Sequence, residues 1–393
     1  MKNMLLVGFL ASSAVAHGQA QVSGKILDRQ THQPVPYASV AVLGRAVGTT
    51  SNAEGEFALT LPSLPARLVL TQLSYGRDTV AGAAAGARRP IELLPAPITL
   101  PTVEMGSYSA ELLKKSYREL QRTHSRKQYG EAFYRQVTQL NQVPTEVQEM
   151  MWHAKTSSAG LEGTVLAQAR YAKQKDAFLT MRNLSSFTKT FALYSPAADT
   201  AQVGGILSPD PTKFYALRLL GIAQRDGQSL AEIEFVGKPA FNRAHVQGTV
   251  TIDVDTYQVL RFRGGLDTTG KSSNPAFKFK NARMQYEVVY RPTPAGAVPD
   301  HMTTTYTATV GRLLKPDMQE QAVGTTYFYD WQPTPTSLAY AGPSQESDQA
   351  AIKQTVYDPV FWRGNPVVKR TPLEEEVIKA FEQQKAFGTL LAK

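Results

Sequence analysis

Strand-sized runs of alternating residues, separated by glycine and proline, constrain the fold of the N-terminal region more than any other feature. Two of these runs are "YASVAVLG" at 37–44 and "EFALTLP" at 56–62. In the second run, Phe57, Leu59 and Leu61 occupy every other position, which is the period of a half-buried strand rather than of a helix. Similar runs recur at roughly 8–12-residue spacing, which is typical of a β-sandwich.

The segment that joins these two runs, "GTTSNAEGEF", has the composition of a tight turn. We predict that "NAEG" is a hairpin turn in which Gly55 adopts a positive φ. Asn52, Glu54 and Glu56 also carry oxygen ligands of the kind that calcium prefers. Their spacing does not fit an EF-hand loop, which needs a third ligand before its glycine and a glutamate at the twelfth position. We therefore predict no metal site here.

The ordered run of "VSGKILD", "PVPYASVAV" and "GTTSNAEGEFALTLP" within residues 21–99 resembles the carboxypeptidase regulatory-like domain. This family has a transthyretin-like, or prealbumin-like, Greek-key β-sandwich. It occurs beside metallocarboxypeptidases and at the N-termini of many outer-membrane proteins of Gram-negative bacteria. The resemblance implies a sandwich with an accessory role and implies no reaction.

The N-terminus predicts export. Residues 1–20 carry one charge, Lys2, then an apolar run and two small-residue cleavage sites, Ala14-Val15-Ala16 and Gly18-Gln19-Ala20. This pattern is typical of a signal peptide and is too short for a membrane span. The chain has no cysteine, which excludes a lipid-modified N-terminal cysteine, disulfides and thiolate zinc sites. We expect an exported protein that is periplasmic or outer-membrane-associated, is not a lipoprotein and has no transmembrane span when mature.

The net charge of +9 comes from basic residues scattered singly or in pairs. A basic balance favours anionic partners such as nucleic acid, lipid or acidic glycan. Because export separates the chain from nucleic acid, we predict no nucleic-acid partner, and we interpret most of the charge as solvated surface.

The second region predicts a curved antiparallel sheet packed on a helix. Residues 100–108 are rich in proline and small residues and are predicted as a linker. Ser109 is a candidate N-cap for a helix over 110–124. The predicted domain spans 109–335, and its nine candidate strands are 131–140, 146–156, 165–174, 231–237, 245–254, 257–264, 282–290, 302–310 and 324–331. The whole chain is therefore predicted to be mainly β, with an α+β second domain.

Residues 336–393 are predicted as a tether and a C-terminal helix. Thr371, Pro372 and Glu374 have the spacing of a capping box with proline at the first helical position. The stretches "EAFYRQVTQLNQ", "GTVTIDVDTYQVLRF" and "DPVFW" resemble an uncharacterised family of bacterial envelope proteins. In that family the same sandwich precedes a curved sheet and often an outer-membrane barrel. Only two clear strands follow residue 300, so we expect a form without the barrel.

No catalytic or cofactor motif emerges from the sequence. The histidines outside the signal peptide are isolated from one another and lack the paired spacing of a zinc peptidase: His32, His124, His153, His245 and His301. Serine-hydrolase, Walker and dinucleotide fingerprints are also missing from the sequence. We predict no catalytic residue, no metal and no cofactor, and we leave the binding residues unassigned.

Asp253 and Asp255 are the best-placed pair of carboxylates, since they share a face where a strand enters a turn. Such a pair can divide acid and base roles in a glycosidase, whereas turn aspartates more often accept backbone N–H groups. We therefore predict a non-catalytic envelope protein that binds or scaffolds a glycan, peptide, lipid or outer-membrane partner. The alternatives are an envelope hydrolase using these carboxylates and a periplasmic protein resembling a lipid carrier.

Overall fold

The structure is a computed structural model that describes residues 20–44, 48–61, 64–82, 90–99, 105–174, 184–195, 205–240, 244–268, 276–343, 348–364 and 368–387. The predicted signal peptide lies outside the described residues except for Ala20, which begins the first strand.

The N-terminal region is a β-sandwich, as predicted. One sheet has the order β4-β1-β7, and the other has the order β3-β2-β5-β6. The strands are β1 (Ala20–Asp28), β2 (Ser39–Val42), β3 (Gly48–Thr50), β4 (Glu56–Leu61), β5 (Arg67–Thr71), β6 (Asp78–Ala81) and β7 (Ile91–Leu93). Alternate side chains of both sheets meet in one buried cluster that includes Ile26, Val40, Phe57, Leu61 and Leu70. The period-two pattern of "EFALTLP" thus supplies one wall of this core.

The turn at Asn52–Gly55 differs from the prediction in one respect. Gly55 has the predicted positive φ, 73°. However, β3 pairs with β2, whereas β4 pairs with β1. The predicted hairpin is therefore wrong: the turn carries the chain from one sheet of the sandwich to the other. The sequence pattern is the same in both cases, because a short polar turn with glycine serves either connection.

Gly55→Val is expected to destabilise the sandwich by more than the roughly 1 kcal/mol of left-handed strain alone. A Cβ atom at this position would lie 2.4 Å from the backbone oxygen of Ile26. Gly44 is a matched control, since its φ is also positive, at 75°, but a Cβ there would have nothing within 4 Å. Thermal melts should show a larger loss for Gly55→Val than for Gly44→Val. Equal losses would contradict the close backbone approach.

The rest of the chain builds a large curved antiparallel sheet with the order β11-β10-β9-β18-β17-β16-β15-β14-β13-β12-β8. Its strands are β8 (Ile98–Thr99), β9 (Gln128–Leu140), β10 (Val143–Ser157), β11 (Gly160–Lys173), β12 (Tyr215–Arg225), β13 (Gln228–Gly237), β14 (Gln247–Asp253), β15 (Val259–Asp267), β16 (Phe277–Arg291), β17 (Val298–Arg312) and β18 (Lys315–Gln332). Consecutive strands pair as neighbours over most of the sheet, with β9 meeting β18.

Two of the longer elements differ from the sequence prediction. The strand Tyr215–Arg225 was not among the nine candidates. It contains a register shift between Leu219 and Gly221, and this bulge breaks the alternation that reveals a strand. The first long helix, α1 (Met105–Thr123), begins four residues before the predicted cap Ser109, which is a buried residue within it. A serine is compatible with a helix interior, so it did not mark the true boundary.

The inner face of the large sheet is covered by helices. Leu113, Tyr117 and Leu120 of α1 belong to the largest buried cluster, together with side chains of β12 to β17. The short helix α2 (Ser185–Thr190) contributes Phe187 to the same cluster. The predicted packing of a curved sheet on a helix is therefore confirmed.

The C-terminal segment wraps around the edge strand β11. Thr164 of β11 exchanges backbone hydrogen bonds with Ala341. Ile352, in α3 (Gln349–Gln354), packs on the inner face. The chain then continues through α4 (Pro359–Gly364) to α5 (Pro372–Gln383) on the outer face. A covered edge has fewer free backbone groups for pairing with other chains.

Helix α5 has the predicted capping box. The Thr371 side chain accepts from the backbone N–H of Glu374, whose carboxylate accepts from the backbone N–H of Thr371. Val377, Ile378 and Phe381 of this helix pack on the outer face of β9 to β11.

A buried ion cluster lies beneath α5. It consists of Arg135 on β9, Glu149 on β10, Arg170 on β11, and Glu374 and Glu382 on the helix. Glu149 contacts both arginines, and its Oε1 lies 2.7 Å from the Nε of Arg135. Because the three central side chains are almost fully buried, each charge depends on its partners.

Candidate functional site

The sandwich docks on the outer face of the large sheet. The Tyr37 ring lies 5.4 Å from the ring of His301 on β17. The turn that opens β4 reaches the C-terminal segment: the amide nitrogen of Asn52 donates to the backbone oxygen of Arg370 at 3.2 Å. Glu56 and Lys369 form an ion pair of 2.7 Å at the same place. Sandwich, sheet and C-terminal segment therefore share one junction.

Asn52 and Glu56, whose oxygens were considered as calcium ligands in the sequence, make structural contacts instead. The side-chain oxygen of Asn52 accepts from the backbone N–H groups of Glu54 and Glu56 at 3.0 and 2.8 Å. These residues hold the turn and the junction, and within the described part of the chain no group of three acidic or histidine side chains has the geometry of a metal site.

A β-bulge at Asp300 shapes the junction. His301 pairs with Val289, whereas Tyr290 pairs with Pro299, so Asp300 is left without a cross-strand partner. In a regular strand, neighbouring side chains point to opposite faces. Here Asp300 and His301 both line the same cavity, and the Nδ1 of His301 lies 3.0 Å from an Asp300 oxygen. Bulges commonly re-aim side chains in this way beside functional sites.

The cavity between the sandwich and the sheet, which we call the junction cavity, has a volume of about 90 Å³. Tyr37, Ser39 and Thr71 line it from the sandwich. Its charged and hydrogen-bonding walls on the sheet side include Arg225, Arg261, Tyr290, Arg291, Asp300 and His301. A space of this size has room for a few water molecules or one small ion.

Two arginines that line the cavity, Arg225 and Arg261, are held by hydrogen bonds from their terminal nitrogens. Arg261 donates through Nη1 to the Ser74 hydroxyl at 3.1 Å and through Nη2 to Glu232 at 3.0 Å. Arg225 donates through Nη1 to the backbone oxygen of Gln72 at 3.3 Å. These bonds fix both guanidinium planes against the sandwich.

Four buried polar atoms of the cavity residues have no hydrogen-bond partner in the described protein. They are the Nε atoms of Arg225 and Arg261, the Tyr290 hydroxyl and the Nε2 of His301. The Nε of Arg225 lies 3.4 Å from an oxygen of Asp226, but without hydrogen-bond geometry. A buried polar atom without a partner costs about 1–3 kcal/mol, so four such atoms on residues that line one cavity favour a polar occupant.

The electrostatics of the cavity favour an anion. Burial alone would raise the pKa of Asp300, but the hydrogen bond and charge of His301 and the charge of Arg291 hold it below its usual range. Asp300 is thus ionised and satisfied by its neighbour. Burial, and then repulsion from Arg263, lower the pKa of Arg261, although arginine stays charged. An anion would relieve that unfavourable environment.

Tyr290 lines the cavity and also belongs to the buried cluster that packs on α1. Its hydroxyl is buried, and burial raises the pKa of Tyr290 well above its ordinary value. The hydroxyl therefore keeps its proton and can donate it in a hydrogen bond.

A second concave surface, the outer groove, lies beside the junction cavity. It has a volume of about 550 Å³ and is open to solvent on the outer face of β13 to β17. Hydroxyl, amide and charged side chains dominate its wall, including Thr249, Arg263, Gln285, Glu287, Thr303 and Thr305. Its volume falls within the roughly 300–1,000 Å³ of ligand sites.

The aspartates singled out from the sequence line neither cavity nor groove. Asp253 is buried, and its Oδ1 accepts from the backbone N–H groups of Asp255 and Thr256 at 2.9 and 3.0 Å. Its Oδ2 accepts from Gln228. Asp255 is exposed. The pair therefore holds a turn and lacks the shared concave site that the hydrolase alternative requires.

Most histidines pair separately with a nearby acid on the surface. His32 lies near Glu92, and His245 lies 2.7 Å from Asp267. Of the described histidines, only His301 lines the candidate site, and no sequence motif marked it. Arg225, Arg261 and Tyr290 come from three different strands, and no local pattern connects them.

Residues 22–94 match the CarboxypepD_reg-like domain family. This segment is a CarboxypepD_reg-like domain. The predicted resemblance is thereby confirmed for the sandwich, and the junction cavity lies between the CarboxypepD_reg-like domain and the large sheet. A comparison with curated proteins gives no match to the chain.

Among solved structures, the chain is similar to a DUF1329 family protein from Desulfovibrio piger, with 11% identity and a TM-score of 0.26 over 60% of this chain and 96% of that one. A LolA superfamily protein from Nitrosomonas europaea gives 10% identity and a TM-score of 0.23 over 60% and 96%. A Bacteroides fragilis protein of unknown function gives 11% identity and a TM-score of 0.15 over 80% and 98%. Likenesses at this level carry no conclusion about the ligand of this chain. None of the helices in the described ranges is long and apolar enough to span a membrane.

Proposed function

We propose that this chain is a non-catalytic binding protein of the cell envelope that captures an anionic group in the junction cavity. The observation that carries the proposal is the set of buried donors without partners, from Arg225, Arg261 and Tyr290, around a space of about 90 Å³. The carboxylates that line the cavity already have partners, because Asp300 contacts His301 and Glu287 contacts Arg263. The arginine donors are left for a ligand.

Envelope location is part of the proposal. The predicted signal peptide at 1–20 supports export, and the lack of cysteine supports a protein without a lipid anchor. The CarboxypepD_reg-like domain supports an accessory role, since it forms one wall of the site.

The lipid-carrier alternative has less support. It needs apolar space on the inner face of the sheet. There, Phe262 stacks on Phe235 and Tyr286 with ring centroids 5.5 and 5.9 Å apart, and Phe191 packs on both Phe262 and Tyr286. These rings occupy part of the space between sheet and helix with the chain's own side chains.

Calorimetric titration with inorganic phosphate at low ionic strength tests the proposal. Wild type is expected to bind with one-to-one stoichiometry, and Arg225→Gln should bind at least about tenfold more weakly, because charged hydrogen bonds contribute about 1.5–3 kcal/mol. Arg218→Gln is the matched control: it lies on the same strand, exposed and paired with Glu234. Equal binding by both variants, or no saturable binding by wild type, would overturn the proposal.

Tyr290→Phe separates ligand binding from folding. The buried hydroxyl has no protein partner, so its removal should leave the melting temperature without ligand unchanged or slightly higher. Phosphate affinity should nevertheless fall by several-fold, because the ligand loses a donor. A loss of stability without a loss of affinity would show that the hydroxyl serves the fold instead.

A further inference from the structure

The junction cavity and the outer groove are consecutive parts of one trough. Three strands run through both, and each places residues two apart on the same face: Arg261 and then Arg263 on β15, Val289 and then Glu287 on β16, and His301 and then Thr303 on β17. The first of each pair lines the cavity and the second lines the groove. One such step is about 7 Å along a strand. The sandwich roofs the cavity end and leaves the groove end open.

The boundary between the two parts is an ion pair. Glu287 lines both spaces and contacts Arg263. The Arg263 side chain is 48% exposed, whereas that of Glu287 is 22% exposed. The arginine of this pair can therefore move toward solvent around a ligand.

We propose that the trough binds an acidic oligosaccharide, with one carboxylate in the junction cavity and the following sugar units in the outer groove. This inference rests on the proposed function and names its ligand. The positive net charge of the chain and the donors of the cavity complement a uronic-acid carboxylate. The groove offers side chains that both donate and accept, such as Thr249, Gln285 and Thr305, and these match sugar hydroxyls.

The position of the groove favours a sugar over a peptide. Strands β14 to β17 lie in the interior of the sheet, and each pairs on both sides. Their backbone groups are therefore used within the sheet, so a peptide cannot bind there by adding a strand. Recognition must come from side chains, and the buried Thr249 hydroxyl has no protein partner.

The test compares D-galacturonate, its linear trimer, tri-alanine and inorganic phosphate in calorimetric titrations. Wild type should bind the trimer about tenfold or more tightly than the monomer, because the added units gain a few hydrogen bonds of about 0.5–1.5 kcal/mol each. Gln285→Ala should reduce this preference while leaving phosphate binding unchanged. Gln321→Ala, which removes an exposed glutamine of β18 outside the groove, should retain the preference.

The outcomes separate the two proposals. Equal affinity for monomer and trimer, or binding of phosphate with no binding of either sugar, would overturn the oligosaccharide inference and leave the anion site intact. Tighter binding of tri-alanine than of the trimer would also overturn it, in favour of a peptide carboxylate. Failure of all four probes to bind would overturn the anion site itself.

Discussion

Glu149→Gln is expected to destabilise the protein by about 3–5 kcal/mol, because it leaves two buried guanidinium groups without their shared carboxylate. Glu149 is 1% exposed and contacts both Arg135 and Arg170. Two carboxylates of α5 remain near these arginines, 3.2 Å from Arg135 and 3.1 Å from Arg170. Each contacts the Nη1 of a single arginine, so neither replaces the carboxylate that Arg135 and Arg170 share.

The same substitution should loosen the C-terminal segment. Arg170 also lies beneath the rings of Trp362 and Phe387, at 4.7 and 4.6 Å from their centroids. Its position thus connects the sheet to the chain that covers the outer face. Chemical denaturation measures the stability loss, and limited proteolysis C-terminal to β18 measures the loosening. Glu111→Gln removes an exposed carboxylate from a helix ion pair and should cost no more than about 1 kcal/mol.

The stability of the wild type should depend on pH in the acid range because of the same ion cluster. Burial alone would raise the pKa of Glu149, but the charges of Arg135 and Arg170 outweigh it and lower the pKa below its ordinary 4.5. A lowered folded-state pKa contributes stability above the unfolded value, and this contribution disappears as the pH falls through the folded value. Wild type should therefore lose stability below about pH 4.5 more steeply than Glu149→Gln. Parallel acid profiles would contradict an ionised Glu149.

Phe262→Ala is expected to cost about 3–5 kcal/mol, the usual range for deleting a core aromatic ring. Phe262 is buried and lies in contact with three other rings on the inner face. Phe262→Leu keeps most of the volume and should cost less. Thermal and denaturant unfolding give both values.

This substitution also discriminates between the functions considered. If the inner face were the wall of a ligand cavity, the ring would border space in the free protein and Phe262→Ala would cost little. If Phe262→Ala lowers the free energy of unfolding by less than about 1 kcal/mol, the ring does not pack in a solid inner core. That result would favour the lipid-carrier alternative.

The fold was largely predictable because its signals are local. Alternation located most strands, and the capping box at Thr371 located the start of α5. Two features were not predicted correctly from the sequence, for physical reasons. The bulge near Leu219 concealed β12, and the turn at Gly55 has the same composition whether it closes a hairpin or crosses between sheets.

The candidate site was not predictable, because it is assembled over long distances. Arg225, Arg261 and Tyr290 lie on separate strands, and they line one cavity only because the sandwich covers that face. His301 carried no motif, since the bulge that places it beside Asp300 exists only in the paired sheet. The pair predicted from the sequence, Asp253 and Asp255, lies only two residues apart in the chain but serves a turn.

A crystal structure of the full chain grown with selenate tests the central claim most directly. Selenate is a tetrahedral oxyanion whose selenium can be located by anomalous scattering. We expect an anomalous peak in the junction cavity, with oxygens within about 3.2 Å of the Nε atoms of Arg225 and Arg261 and of the Tyr290 hydroxyl. A cavity filled only by water, with selenate bound elsewhere or nowhere, would contradict it.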